Sequence, residues 1–342
     1  MTQSPLITVT PAGLYCRKAD LYIDPWRPVP RALITHGHAD HARRGHQHYM
    51  CTTLADPVLR HRLGDIKIET LPYGTEIDVG GVTISFHPAG HVIGSAQIRL
   101  AHKGQVWVIS GDYKREDDGI TTPFEPQRCT HFVTECTFGL PIFKWAPQQH
   151  IAAELNAWWR SQAAAGRTCL LGAYSLGKAQ RILSMLDPSI GPILTHAAID
   201  ATNQIIRAQG ISLPETRTLD PDTTVKPPAG AFAIAPPAAL ESNWAKRLGP
   251  RSTGFASGWM RIRGIRRRRA ADRGFIISDH ADWDGLLKTV ADTGAENIYP
   301  THGYTDIFAR HLNDLGYFTQ IIPTRFEGDE PDAQTAAETQ TQ

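Results

Sequence analysis

Apolar and polar positions alternate in two regimes along this chain. Through the first 135 residues the pattern is short and strand-like. Residues 6–9, 13–16, 31–35, 66–69, 82–87, 96–101, 106–110 and 131–135 carry β-branched or alternating apolar side chains, with Gly, Pro or Asp breaks between many of them. Helical spacing occurs at 57–62 and more clearly at 148–165, where Ile151, Leu155, Trp158 and Trp159 share a face. Beyond that, 169–173 reads as a buried strand and 175–186 as a helix, followed by Pro- and Ala-rich pieces over 214–237. A strand at 274–278, a helix at 284–293 and a strand at 297–301 come next. From about residue 328 the chain is polar and aperiodic, the composition of a disordered tail.

At 342 residues the chain is long for one domain and comfortable for two. A net charge of +1 exerts no global pull on nucleic acid, so any such attraction must be local. One segment supplies it: Arg261, Arg263, Arg266, Arg267, Arg268, Arg269 and Arg273 are seven arginines in thirteen residues, opposed only by Asp272. Five scattered cysteines without CxxC spacing predict reduced thiols and a cytoplasmic protein. The first residues lack a basic segment followed by an apolar one, and no apolar stretch approaches the roughly 20 residues that span a bilayer, so no membrane partner is expected.

The candidate chemistry begins at His36-Gly37-His38-Ala39-Asp40-His41, directly after an apolar strand. Zinc, manganese and iron accept imidazole and carboxylate ligands, and a pair of cations can hold both the attacking and the leaving oxygen of a phosphoryl displacement. His36 and His38 are spaced to approach one metal, and Asp40 and His41 to face a second. One hexapeptide cannot fill two coordination spheres, so further ligands should follow strands elsewhere. His91 does so between Gly90 and Gly94, Asp112 follows Gly111, and His302 precedes Gly303. His46 and His48 come too soon after a filled motif to be ligands, and Cys51 and Cys136 have no ligand spacing.

This series, HxHxDH, Gly-His, Gly-Asp and a distant C-terminal His, resembles the metallo-β-lactamase superfamily over most of the chain. The resemblance implies an α/β fold, a four-layer αβ/βα sandwich with two divalent metals at one edge, zinc foremost, with manganese or iron as alternatives. It implies His36, His38 and His91 on one metal, Asp40, His41 and His302 on the other, and Asp112 bridging. Asp24, in Tyr22-Ile23-Asp24-Pro25, would orient the ligand loop from behind, a role Asp20 fits less well.

Further motifs resemble the β-CASP nuclease branch: Thr134-Glu135-Cys136-Thr137-Phe138-Gly139, Ser278-Asp279-His280-Ala281-Asp282 and Thr301-His302-Gly303. Ala173-Tyr174-Ser175-Leu176-Gly177-Lys178-Ala179-Gln180 would open the inserted cap. The implied organisation is a metallo-β-lactamase domain at 1–172 and 273–327, a β-CASP-like cap at 173–272 and a tail at 328–342. Ser257-Gly258-Trp259-Met260-Arg261, the arginine run and the short length resemble bacterial ligase-associated DNA exonucleases, related to the Artemis and Pso-type repair nucleases. Within the cap only the two ends match clearly.

That resemblance implies a metal-dependent DNA exonuclease acting on single-stranded ends, 5′→3′, in DNA repair at the nucleoid, in functional association with an ATP-dependent DNA ligase and a helicase. Asp40, Glu135 and His280 would form the catalytic set. A hydrogen bond from His280 to Glu135 would raise the histidine pKa and suit it to protonate the leaving oxygen; each is also a residue type that serves as a structural hydrogen bonder. Lys178 and Arg181, one helical turn apart, and Arg261, Arg263, Arg266 and Arg267 are the candidate nucleic-acid contacts. Trp259 and Tyr113 would stack on bases or lie in the core. Three other readings stand beside this one: an RNA-processing nuclease with the same ligands, a small-molecule metallo-hydrolase, and a silent binding subunit, which the full ligand set disfavours.

Overall fold

The computed structural model describes residues 4–219, 227–268 and 271–324, with residues 266–268 described in backbone only; the expected tail at 328–342 lies outside the described residues. The chain divides into two compact units. The first gathers the chain up to Asp117, Thr121–Lys144 and the stretch from His280 onward, and the second gathers Asp118–Ile120 and Trp145–Asp279. These divisions differ from boundaries at 172/173 and 272/273. The helix Gln148–Ala164 buries Ile151, Leu155, Trp158 and Trp159 among Cys169, Leu171, Phe232, Ile234 and Phe275, so this helix and the strand Thr168–Gly172 belong to the second core.

In the first unit, six strands run in chain order: Ile7–Thr10, Gly13–Cys16, Leu21–Ile23, Arg31–Leu33, His48–Thr52 and Ile68–Leu71. A seven-stranded sheet has the order Phe318–Thr319, Asn297–Gly303, His131–Cys136, Gln105–Ile109, Ala96–His102, Val82–Pro88, Ile77–Val79. Alternate residues of each sheet meet in one apolar layer: Leu14, Ile23 and Leu33 on one side, Ile84, Phe86, Ile98 and Ile109 on the other. The outer faces are covered by helices. Leu59 and Leu63 of the helix Asp56–Leu63 pack with Ala32, Ile34 and Tyr49. The helices Trp283–Thr293 and Thr305–Asp314 lay Leu286, Val290, Phe308 and Leu312 against Val108, Phe132 and Ile298. The order of layers is therefore helix, sheet, sheet, helix.

The second unit is built on a six-stranded sheet in the order Arg217–Thr218, Ile193–Thr195, Phe232–Ala235, Thr168–Gly172, Arg251–Ala256, Arg273–Phe275, with every pairing parallel. Its two central strands are buried throughout, as a parallel sheet covered on both faces requires. Among the described residues, no helix is long and apolar enough to cross a membrane.

Candidate metal centre

Six side chains of the first unit sit at or just past the C-terminal end of a strand. Asp24 follows Leu21–Ile23, His36 follows Arg31–Leu33, His91 follows Val82–Pro88 and Asp112 follows Gln105–Ile109. Glu135 and His302 lie in the last residues of the neighbouring strands His131–Cys136 and Asn297–Gly303. The loop after His36 does not enter a helix at once; it runs through turns, with the Ala42 N–H donating to the His38 carbonyl at 2.8 Å, and the next helix starts at Asp56.

His302 is presented by a β-bulge. Glu135 pairs with Thr301 and Cys136 with Gly303, so His302 is the extra residue between them, at φ 58°. A bulge turns its side chain out of the regular alternation and aims it away from the sheet. The next position must be glycine: φ is +97°, and a Cβ there would lie 2.3 Å from the Cys136 carbonyl oxygen.

Two groups of ligand atoms result, sharing Asp112. In the first, His38 Nδ1 lies 3.2 Å from His36 Nε2 and 3.1 Å from His91 Nε2, while Asp112 Oδ2 lies 3.4 and 3.7 Å from those same two nitrogens. In the second, His41 Nε2 lies 3.7 Å from Asp40 Oδ2 and 3.5 Å from Asp112 Oδ1, and His302 Nδ1 is 3.5 Å from Asp112 Oδ1. Metal–nitrogen bonds of roughly 2.0–2.1 Å in a tetrahedron give ligand–ligand edges of about 3.4 Å. The observed separations have this size, and three imidazole nitrogens converge where only one proton could be shared at a time. This donor set therefore fits a pair of divalent cations.

Electrostatics of the cluster point the same way. Burial, with neighbouring His41, holds His36 well below its usual pKa, so the ring is neutral and keeps one nitrogen lone pair for a ligand bond. His41 is pushed up to about 10: burial opposes its charge, but Asp112, Asp40 and Asp24 outweigh that. His302 is raised against burial by Asp112. Asp112 stays well below the carboxylate range, because His41 and His280 more than offset its burial. A buried carboxylate between imidazoles favours positive charge around it.

Behind the ligands lies a buried scaffold. Asp24, itself at φ 42°, accepts the Thr35 N–H at 2.8 Å, the Thr35 hydroxyl at 2.5 Å and His41 Nδ1–H at 2.7 Å. This last bond leaves His41 Nε2 facing Asp112. With its proton given to Asp24, the Thr35 hydroxyl can accept from His36 Nδ1 at 3.1 Å, which likewise directs His36 Nε2 into the cluster. Gly111 lets this hydroxyl approach: a Cβ there would stand 2.8 Å from it. Asp20 instead lies exposed and accepts from the Tyr15 hydroxyl at 2.8 Å. Thr35 and Thr137 went unremarked in the sequence, although each directly adjoins a motif residue or lies within a motif.

Glu135 and His280 meet as well. His280 Nδ1 is 2.9 Å from both carboxylate oxygens. Glu135 is held in turn by the Tyr113 N–H at 2.8 Å and the Thr137 hydroxyl at 2.6 Å. The His280 ring stands 4.7 Å from that of His91, beside the cluster. Asp112, Glu135 and His280 form a third close group of metal-ligand type, but the Glu135 oxygens are already committed to these donors.

Other expectations fare differently. Lys178 and Arg181 are each only 3% exposed. Lys178 Nζ lies 3.7 Å from Asp279 and 4.6 Å from the Tyr174 ring centre; Arg181 donates to Gln148 at 2.9 Å and to the Ser278 carbonyl. Both cations are engaged inside the second unit and do not present themselves to phosphates. Arg261 and Arg263 are exposed, on the short helices Gly258–Arg261 and Arg263–Arg268. The side chains of Arg266 and Arg267 lie outside the described residues, as do those of Arg268 and Arg269. Tyr113 and Trp259 are buried, in core roles. His46 is buried against Tyr49 and His48 lies in a strand; neither joins a ligand group.

No protein-family model matches this chain. Over 307 residues, 89% of the chain, it is 29% identical to a protein of Opitutus terrae named a probable DNA ligase, of which it covers 30%. Over 123 residues, 35% of the chain, it is 33% identical to the endoribonuclease YSH1 of Yarrowia lipolytica, covering 15% of that protein. Over a segment of the same length it is 29% identical to cleavage and polyadenylation specificity factor 73 of Drosophila melanogaster, covering 18% of it. The chain thus spans less than a third of the length of each of these relatives. Among solved structures, a protein of unknown function from Enterococcus faecalis V583 shares the fold, with a TM-score of 0.58, 12% identity and 87% of this chain and 80% of that chain covered.

Proposed function

We propose that this protein is a metal-dependent nuclease of the metallo-β-lactamase superfamily, β-CASP branch, and a DNA exonuclease working from single-stranded ends. One observation carries the reading: Asp112, a buried carboxylate, lies 3.4–3.7 Å from nitrogens of both ligand groups, with a carboxylate–imidazole pair beside them. Two divalent cations, zinc or else manganese or iron, would be held by His36, His38, His91 and Asp112 and by Asp40, His41, His302 and Asp112. When bound, they supply charge to activate water and to stabilise a pentavalent phosphoryl centre.

The chain's own residues do the rest. Asp24 and Thr35 fix which nitrogens of His41 and His36 face the centre. Glu135 accepts from His280 Nδ1 and leaves Nε2 to carry the proton that is transferred. Hydrolysis adds the oxygen of water to phosphorus and breaks one P–O ester bond; His280 protonates the departing oxygen, a contribution of roughly 10²–10⁴ in rate. Exposed Arg261 and Arg263 would hold the strand through its phosphates.

Similarity to a ligase-named protein across most of the chain supports a DNA substrate and functional association with a DNA ligase; 5′→3′ polarity in repair and a helicase partner follow from the motif resemblance alone. The endoribonuclease-named relatives favour the second reading, an RNA-processing nuclease with the same ligands. A single-stranded oligonucleotide labelled at either end, in DNA and in RNA, incubated with Mn, Zn, Mg or chelator, tests both. Stepwise metal-dependent loss of label from the DNA 5′ end is the expected result. Cleavage of RNA alone would replace the first reading with the second, and no cleavage of either would remove both.

A further inference from the structure

We propose that Arg44 and Arg62 form a phosphate-binding site beside the metal loop, which takes a phosphodiester next to the one being cleaved. This rests on the nuclease reading above and adds a subsite to it. Arg62 closes the helix Asp56–Leu63 and donates from Nη1 to the carbonyl of Gly37, the residue between His36 and His38. Arg44 follows the same loop and donates from Nη2 to the Arg62 carbonyl at 2.6 Å. The Arg44 guanidinium is thereby anchored on the backbone of Arg62, and that of Arg62 on the backbone of the metal loop at Gly37, each through one bond to a carbonyl.

Neither makes a close ion pair. Among the described residues, neither Arg44 nor Arg62 has a carboxylate within 4.0 Å, whereas neighbouring Arg60 is neutralised by Asp56 at 2.9 Å. Burial lowers the pKa of Arg62; Asp40 opposes this from beyond ion-pair distance, and the Arg44 charge adds to it. Guanidinium is charged regardless, so the pair carries two positive charges in mutual repulsion. A guanidinium has five N–H donors, and most of these remain for an oxyanion. A phosphate satisfies both demands, because it takes two charge-assisted bonds in a fork geometry and cancels the repulsion. Gly37 places the pair within the same loop as the ligands, so a strand whose scissile phosphate sits on the cations would lay a neighbouring phosphate here. The two arginines are separated by a strand and a turn, and the sequence gives no hint that they meet.

The test is the salt dependence of binding by the metal-loaded protein to a single-stranded DNA oligonucleotide with phosphorothioate linkages, which slow cleavage. Each phosphate contact removed lowers the slope of log K against log salt by about 0.7 on single strands. R44Q is expected to lower the slope by about that amount and to weaken binding at low salt. R44K, which keeps the charge and loses the fork, should keep the wild-type slope with weaker binding. Arg44 is exposed, so both variants should fold, and unchanged thermal unfolding checks it. An R44Q slope equal to wild type overturns the site while leaving the nuclease reading intact. A wild-type protein that neither binds nor cuts any oligonucleotide overturns the nuclease reading itself.

Discussion

The two units treat the ends of their strands in opposite ways. In the first, side chains at strand ends from both sheets aim nitrogen and oxygen at common points, three imidazoles within 3.1–3.2 Å steps of one another. In the second, the corresponding positions are spent locally. His196 accepts from the Ala198 N–H to cap the helix Ala197–Ala208, Ser257 accepts from the Trp259 N–H, and Gln180 bonds to Asn203 and to the Gly177 N–H. Lys178 and Arg181 face Asp279. Polar residues at strand ends do not make a site by being there. They make one when their valences are left converging, and the metal-ligand groups among the described residues all fall in the first unit.

The sharpest break of that contrast is Asp112→Ala, which removes the one side chain both groups share. Metal content measured by mass spectrometry should fall, and nuclease activity should drop by on the order of 10³ or more, the several kcal/mol a cation contributes. His280→Ala should keep its metal and lose about 10²–10⁴ in turnover; a normal rate would sink the proton-donor role. Thr35→Val should weaken metal affinity about 10–100-fold in chelator competition, with Thr35→Ser restoring it. In the second unit, Arg181→Met should cost about 2 kcal/mol of stability, for loss of charged hydrogen bonds, read from urea unfolding.

The smallest effect concerns a histidine outside both groups. Burial, with Arg43, lowers His46 to about 4. Its neutral form is favoured on folding, so its contribution is present above the unfolded value of roughly 6.5 and is lost as pH falls towards 4. Replacing it with Phe should flatten the acid side of the stability profile and leave metal content alone.

The site was more legible than the fold. All seven candidate ligands follow apolar runs and lie near glycines, because a strand end is where a chain can leave the sheet and still be held. What the sequence hid was relational. Nothing in Thr35 itself says that its proton goes to Asp24, and Arg62 sits in an ordinary-looking helix. Several strands carry no legible pattern, for physical reasons: Leu21–Ile23, Ile77–Val79 and Ile193–Thr195 have three residues each, too few for alternation to register. His48–Thr52 is buried at four successive positions and so does not alternate. The helix Gln148–Ala164 was visible, but its two tryptophans read alike whichever core receives them.

The chain order of the first unit sets a timetable for synthesis. Glu135 emerges early, but the histidines that complete its surroundings, His280 and His302, are encoded after the whole of the second unit. At about 5–20 residues per second, a ribosome needs on the order of ten seconds or more between Glu135 and His302. Through that interval the nascent chain carries one ligand group and only part of the other. The second group is completed only when the strand Asn297–Gly303 slots in beside His131–Cys136, so a metal centre of the kind proposed above would form late in synthesis.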